Sequence, residues 1–128
     1  MTEEGNVKKA ICDYLEICHQ QGKLYWLRLN SGKAWMRYKG NDKLYPIQLC
    51  EAGMPDLMIF GMEKFQDTDI DGVFYVRLIF FEVKSSKGDT SDIQKERHAE
   101  LREYGAEVYT VKSLDEVMEI LDNGTKGE

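Results

Sequence analysis

Val7, Ile11, Tyr14, Leu15 and Cys18 recur at intervals close to one helical turn, between Thr2, a capping residue, and Gly22, a stop. This spacing predicts an amphipathic helix from Thr2 to about Gln20, with acids at its entry. Leu24 to Leu29 then alternates loosely as a strand, Asn30-Ser31-Gly32 reads as a turn, and Ala34 to Tyr38 forms a second strand that Gly40-Asn41-Asp42 breaks. A loop around Glu51-Ala52-Gly53 feeds Asp56-Leu57-Met58-Ile59-Phe60, a short buried strand. Gly61 to Gly72 is polar and turn-like. The long apolar run from Phe74 to Lys84 is apolar on both faces, as a central strand should be.

Ser85 to Asp89 reads as a loop, and Ser91 opens a helix that runs to about Tyr104 and ends at Gly105. Glu107 to Val111 is a further strand. Ser113-Leu114-Asp115-Glu116 is a capping box for a last helix with Leu114, Val117, Met118 and Leu121 as its apolar stripe, and Asn123 to Glu128 frays. The order of elements predicts a mixed α/β domain in which helices flank one central mixed sheet, spanning residues 1–122.

The chain's 128 residues suffice for one core without disulfides, and 42% hydrophobic with 31% charged residues is the composition of a globular protein. Cys12, Cys18 and Cys50 are odd in number and lack C-x-x-C spacing, which speaks against a zinc ribbon or a disulfide framework. Cys12 and Cys18 fall near an apolar helical stripe and read as reduced core or boundary residues. With no apolar span of bilayer length and no cleavable signal, an intracellular protein is expected, in a bacterial cell or one infected by phage.

A net charge of −6 argues against a nucleic-acid partner until its distribution is considered. Between Lys23 and Cys50, six basic residues (Lys23, Arg28, Lys33, Arg37, Lys39, Lys43) face one acid, Asp42, for a local +5; the remainder holds eleven basic and twenty-two acidic residues, or −11. Tyr25, Trp26, Trp35, Tyr38 and Tyr45 interleave with the basic residues, the mixture that follows phosphates and stacks on bases. A solvated hairpin with inward aromatics accounts for the same pattern.

The chemistry concentrates at strand tips. Residues two apart in a strand share a face, so Glu82 and Lys84 point the same way where the long strand ends, while Asp56 follows Pro55 at the mouth of another apolar run. Buried charge needs compensation, and a bound cation with a charged substrate supplies it. Phosphodiester hydrolysis calls for such a set: a cation against the phosphoryl oxygens, carboxylates to hold it, and help in making hydroxide. Magnesium takes one or two protein carboxylates, so Asp56 and Glu82 suffice, with Lys84 beside the attacking water or the phosphate.

Pro55-Asp56 and Glu82-Val83-Lys84 resemble the PD-(D/E)xK nuclease superfamily, whose core is restriction-endonuclease-like. More narrowly, the chain is similar to the virus-type replication-repair nuclease domain, VRR-NUC. The resemblance covers nearly the whole chain: Glu4 opening the first helix, Asn30-Ser31-Gly32, Gly53-Met54-Pro55-Asp56, Glu82-Val83-Lys84-Ser85, Gly88, Ser91, Gln94 and Gly105. Thr90 departs from it, since the family more often has an apolar residue before the serine. What the resemblance implies is a DNA nuclease dependent on Mg²⁺ or Mn²⁺, expected to be an endonuclease in DNA repair. Asp56, Glu82 and the Val83 carbonyl would hold metal, Lys84 would serve the water or phosphate, Gln94 would orient the site, and Glu4 would reach the metal through water. Arg28, Lys33, Arg37 and Lys39 are the expected DNA contacts. Branched DNA such as Holliday junctions, cut by a two-fold homodimer, fits a small domain facing a symmetric substrate. No nucleotide cofactor is expected.

Other roles compete for some of these residues. Ser91-Asp92-Ile93-Gln94 is itself a capping box, and Glu4 is also explained as an acid in a first helical turn. Glu82 and Lys84 alone could be an ion pair at a strand end. His19 and His98 lack partners at catalytic spacing and read as surface residues. Asp67-Thr68-Asp69-Ile70-Asp71-Gly72 matches the first half of an EF-hand loop, but the closing glutamate position, 78, is leucine, so the segment reads as a hairpin turn. The alternative to an enzyme is a DNA-binding module that keeps the nuclease fold without turnover.

Overall fold

The apolar run that ends at Val83 becomes the strand around which the sheet is organised. The computed structural model of the protein describes residues 2–29, 33–37, 40, 43–48, 50–64 and 74–123, with the backbone alone at 33–37, 45–48, 62–64, 74 and 75. The elements among them are α1 (Glu3–Gln20), β1 (Leu24–Arg28), β2 (Lys33–Arg37), β3 (Leu44–Gln48), β4 (Leu57–Lys64), β5 (Phe74–Val83), α2 (Asp92–Glu103), β6 (Glu107–Val111) and α3 (Leu114–Asn123). A four-stranded mixed sheet has the order β1-β4-β5-β6; β4 is antiparallel to both neighbours, and β5 runs parallel to β6 through the α2 crossover. The expected α/β class and central position of β5 are therefore present. Among the described residues, no helix is long and apolar enough to cross a membrane.

The two sheet faces differ. Leu57, Ile59, Ile79, Phe81, Val83 and Val111 are fully buried on one face beneath Ile11 and Leu15 of α1 and Val117 of α3. Each such side chain contributes about 1.5–3 kcal/mol relative to its exposed state. Residues of opposite parity, Phe80, Glu82 and Val108, lie on the α2 face and are also buried, with His98 of α2. Arg77 is buried as well, where Nε and Nη2 donate to the two oxygens of Glu107 at 2.8 and 2.6 Å. That bidentate bond, together with the Tyr109 hydroxyl, holds the Glu107 carboxyl below its ordinary range against the opposing effect of burial.

Helix ends follow their caps. Thr2 accepts the Gly5 amide at 3.0 Å, and α1 stops where Gly22 takes a φ of +76°. Before α3, Ser113 accepts the Glu116 amide, but the Glu116 carboxylate takes the Lys112 amide at 2.7 Å, one residue earlier than in a reciprocal box. Cys18 is buried and Cys12 and Cys50 are half-buried, all as free thiols.

Several elements depart from the sequence pattern. Leu24–Arg28 pairs with β4, not with the next strand, so β1 and β2 are not neighbours in one ladder. β2 pairs instead with β3, which the pattern missed: Pro46 speaks against a strand, yet it is tolerated opposite Trp35 in a two-stranded sheet, where both strands are edges. β4 continues past Gly61 to Lys64 because pairing with β5 persists to Phe74. The long strand ends at Val83, one residue short of Lys84, and Asn123 belongs to α3 rather than to a frayed tail. The expectations placed on residues 30–32, Tyr38, Lys39, the Asp67–Gly72 turn and residues 124–128 fall outside the described residues.

Candidate active site

Asp56 is brought to Glu82 by strand register. Leu57 pairs with Phe81, and one further step sets Asp56 opposite Glu82. Two like charges opposite each other are unfavourable, so the surrounding groups must offset them. Pro55, fully buried, has no amide to satisfy, and the Asp56 side chain takes the place of a ladder acceptor: Oδ2 receives the Val83 amide at 2.8 Å. The Asp56 amide donates to the Phe81 carbonyl, and its carbonyl accepts from Leu29. Its Oδ1 meets Nζ of Lys8, from α1, at 3.2 Å.

Glu82 is 4% exposed, with Oε2 at 4.0 Å from Nζ of Lys84 and Oε1 at 3.7 Å from Nε2 of His98. Burial pushes its carboxyl up to about 8; the Asp56 charge and a hydrogen bond that only protonated Glu82 can donate to Asp56 act the same way, while Lys84 and Lys8 oppose them. A carboxyl that resists ionisation beside a second carboxylate is a place where a divalent cation would replace a proton. The Asp56 and Glu82 carboxylates, set opposite each other by strand register with Glu82 disfavoured in its charged form, make an oxygen donor set that fits a cation. Among the described residues no three histidine, cysteine or acidic side chains converge, so a cation here would rest on Asp56, Glu82, backbone and substrate oxygens, the pattern suited to Mg²⁺.

The loop that delivers Asp56 is seated on α2. Gly53 has a φ of +86°, and a Cβ there would stand 2.8 Å from the Ile93 carbonyl oxygen. Both the backbone conformation and the contact exclude a side chain. Gly53→Ala is expected to cost about 2 kcal/mol in urea denaturation; an unchanged midpoint would mean that the loop does not depend on this seat.

Lys84 follows β5, its amide bonded to the Val111 carbonyl. Gln94 caps α2: its Oε1 accepts the Ser91 amide at 2.9 Å while its own amide donates to Ser91 Oγ at 3.2 Å, so the capping role is present. Glu4 lies in the first turn of α1, one turn before Lys8 and so on the same helix side. Its neighbour Glu3 makes the tertiary contact, accepting from the Ser86 amide and hydroxyl at 3.3 and 3.2 Å. Val83 offers its amide to Asp56 and buries its side chain in the core. Arg28 ends β1 opposite Leu57, next to the Asp56 tip. Lys33 and Arg37 lie in β2, with their side chains outside the described set, as is Lys39. Trp26 is half-buried against the core, with its Nε1 donating to Glu16 at 3.0 Å, and so is not a free stacking surface; Tyr25 is exposed against His19.

Two residues enter that the sequence reading did not place here. His98 is 3% exposed and faces Glu82, which corrects its assignment to the surface. Burial first, then Arg102 and Lys84, holds its imidazole below the usual value. Lys8 is the other. Both reach the site from helices, and their signal was positional: Lys8 four residues after Glu4, His98 four after Gln94. No protein-family model, curated protein or solved structure matches the chain.

Proposed function

We propose that this chain is a divalent-metal-dependent nuclease that hydrolyses DNA phosphodiester bonds, on a PD-(D/E)xK core of the VRR-NUC type. The observation that carries the reading is the apposition of Asp56 and Glu82 at adjacent strand tips with Lys84 alongside. Asp56 and Glu82 would hold Mg²⁺ or Mn²⁺, which supplies charge neutralisation at the phosphate and acidifies bound water. Lys84, with its ammonium at the open end of β5, orients the water or the phosphate and offsets charge that develops in the transition state. Lys8 supplies countercharge to Asp56 in the absence of metal. Arg28 beside the Asp56 tip, and the basic segment that follows it, form the track for the phosphate backbone. Branched DNA and a two-fold dimer belong to the same proposal.

A binding module without turnover is the second reading, and the Lys8 ammonium already seated on Asp56 favours it. The two separate on a panel of labelled junction, flap, single-stranded and duplex DNAs with and without Mn²⁺. Cleavage that requires the ion is expected, together with a Mn²⁺-induced rise in melting temperature that disappears in Asp56→Ala. DNA binding without cleavage would leave the binding module, and the absence of any metal effect or DNA affinity would end both.

A further inference from the structure

We propose that His98 is a positioning residue of this site: its Nε2–H donates to Oε1 of Glu82 and locks the carboxylate, leaving Oε2 turned toward Lys84. The two atoms stand 3.7 Å apart, both are buried, and neither has another hydrogen-bond partner among the described residues. Each left alone would cost about 1–3 kcal/mol. A water cannot intervene, because two hydrogen bonds through one oxygen need a span of roughly 5 Å. A closure of well under one ångström makes the direct bond, and donor and acceptor match.

Helix α2 is built to hold the imidazole there. Its first turn is fixed by the reciprocal Ser91–Gln94 box and by the contact of Gly53 with Ile93, in the same loop that carries Asp56. Arg97, one residue before His98, pairs with Glu51 at 2.9 Å and ties the helix to that loop again. The imidazole and the Asp56 carboxylate are thus referenced to one loop, and strand register sets Glu82 opposite Asp56. A buried partner that orients a metal-binding carboxylate affects metal affinity more than the chemical step. This consequence rests on the nuclease reading; the bond itself does not.

The test is a Mn²⁺ titration followed by both cleavage and the metal-induced rise in melting temperature. His98→Leu, which fills the space without a donor, is expected to raise the half-saturating Mn²⁺ about 10–100-fold while the rate at saturating Mn²⁺ changes less than about threefold. His98→Gln, whose terminal amide reaches about as far as Nε2, is expected to restore native metal dependence to within about threefold. A folded His98→Leu protein that binds Mn²⁺ like the native one, or a Gln variant as weak as Leu, overturns the proposal. Should the variants not fold, imidazole ¹⁵N shifts of the native protein decide: an Nε2-protonated tautomer that shifts on adding Mg²⁺ is expected, and an Nδ1-protonated one refutes the bond. A native protein without any Mn²⁺ response would instead sink the nuclease reading, while the tautomer would still report on His98 and Glu82.

Discussion

Lys84→Ala is expected to slow metal-dependent DNA cleavage by about 10²–10³-fold, and Glu82→Ala by at least as much, with DNA binding largely retained. The decisive comparison is with stability. Glu82 is a buried carboxyl that desolvation and Asp56 both disfavour in its charged form, so in metal-free protein at alkaline pH its removal takes away an unfavourable charge. Glu82→Ala should therefore melt no lower than the native chain at pH 8 or above, apart from the losses of packing and of the His98 contact. A structural ion pair behaves in the opposite way: breaking it leaves the partner uncompensated and lowers stability by several kcal/mol. Loss of cleavage with melting preserved identifies groups kept for chemistry at the expense of stability. Cleavage that persists in both purified variants would remove Glu82 and Lys84 from the mechanism.

What made those residues legible is the strand period. Glu82 and Lys84 are two apart at the end of an apolar run, Asp56 opens another, and an acid in such a place has no part in burying a strand. The polar turn at Asp67–Gly72 made a hairpin legible, but the register that sets Asp56 opposite Glu82 was not, since a connection of that length does not fix which residues pair. Lys8 and His98 were hidden for a different reason. They arrive from α1 and α2, and helix packing does not show in local periodicity. Helix α2 is the harder case because it is highly polar: Ile93 is exposed, so its inward stripe runs through Gln94, Arg97, His98 and Leu101. A histidine on such a stripe looks like one more solvated residue. The β2–β3 pair was missed because Pro46 suppresses the strand signal, although it is tolerated where β2 and β3 have no further neighbour among the described residues.

Metal-free protein should lose stability as the pH rises toward 8, contrary to the usual behaviour of a carboxylate held by a salt bridge. The folded-state value of Glu82, about 8, lies above its ordinary 4.5, so between these limits the native state binds more protons than the unfolded chain. Stability from this group is complete below the lower value, falls through the interval and is gone above the upper one. The slope approaches 1.4 kcal/mol per pH unit, on the order of 5 kcal/mol across the interval. His98 works in the other direction at its acid end: its lowered value makes the fold resist protonation, and stability is lost as the pH drops below about 6.5. The clear window is therefore pH 6.5–8, where roughly 2 kcal/mol should disappear. Denaturant midpoints of the native chain and Glu82→Gln across that window isolate the effect, because Asp56, Lys8, Lys84 and His98 are common to both. The Gln variant should be nearly flat, and a native curve parallel to it would show that Glu82 is ionised in the folded state already. Saturating Mn²⁺ should abolish the native slope, since a bound cation holds the carboxylate deprotonated throughout, and each ion taken up below pH 8 should release close to one proton.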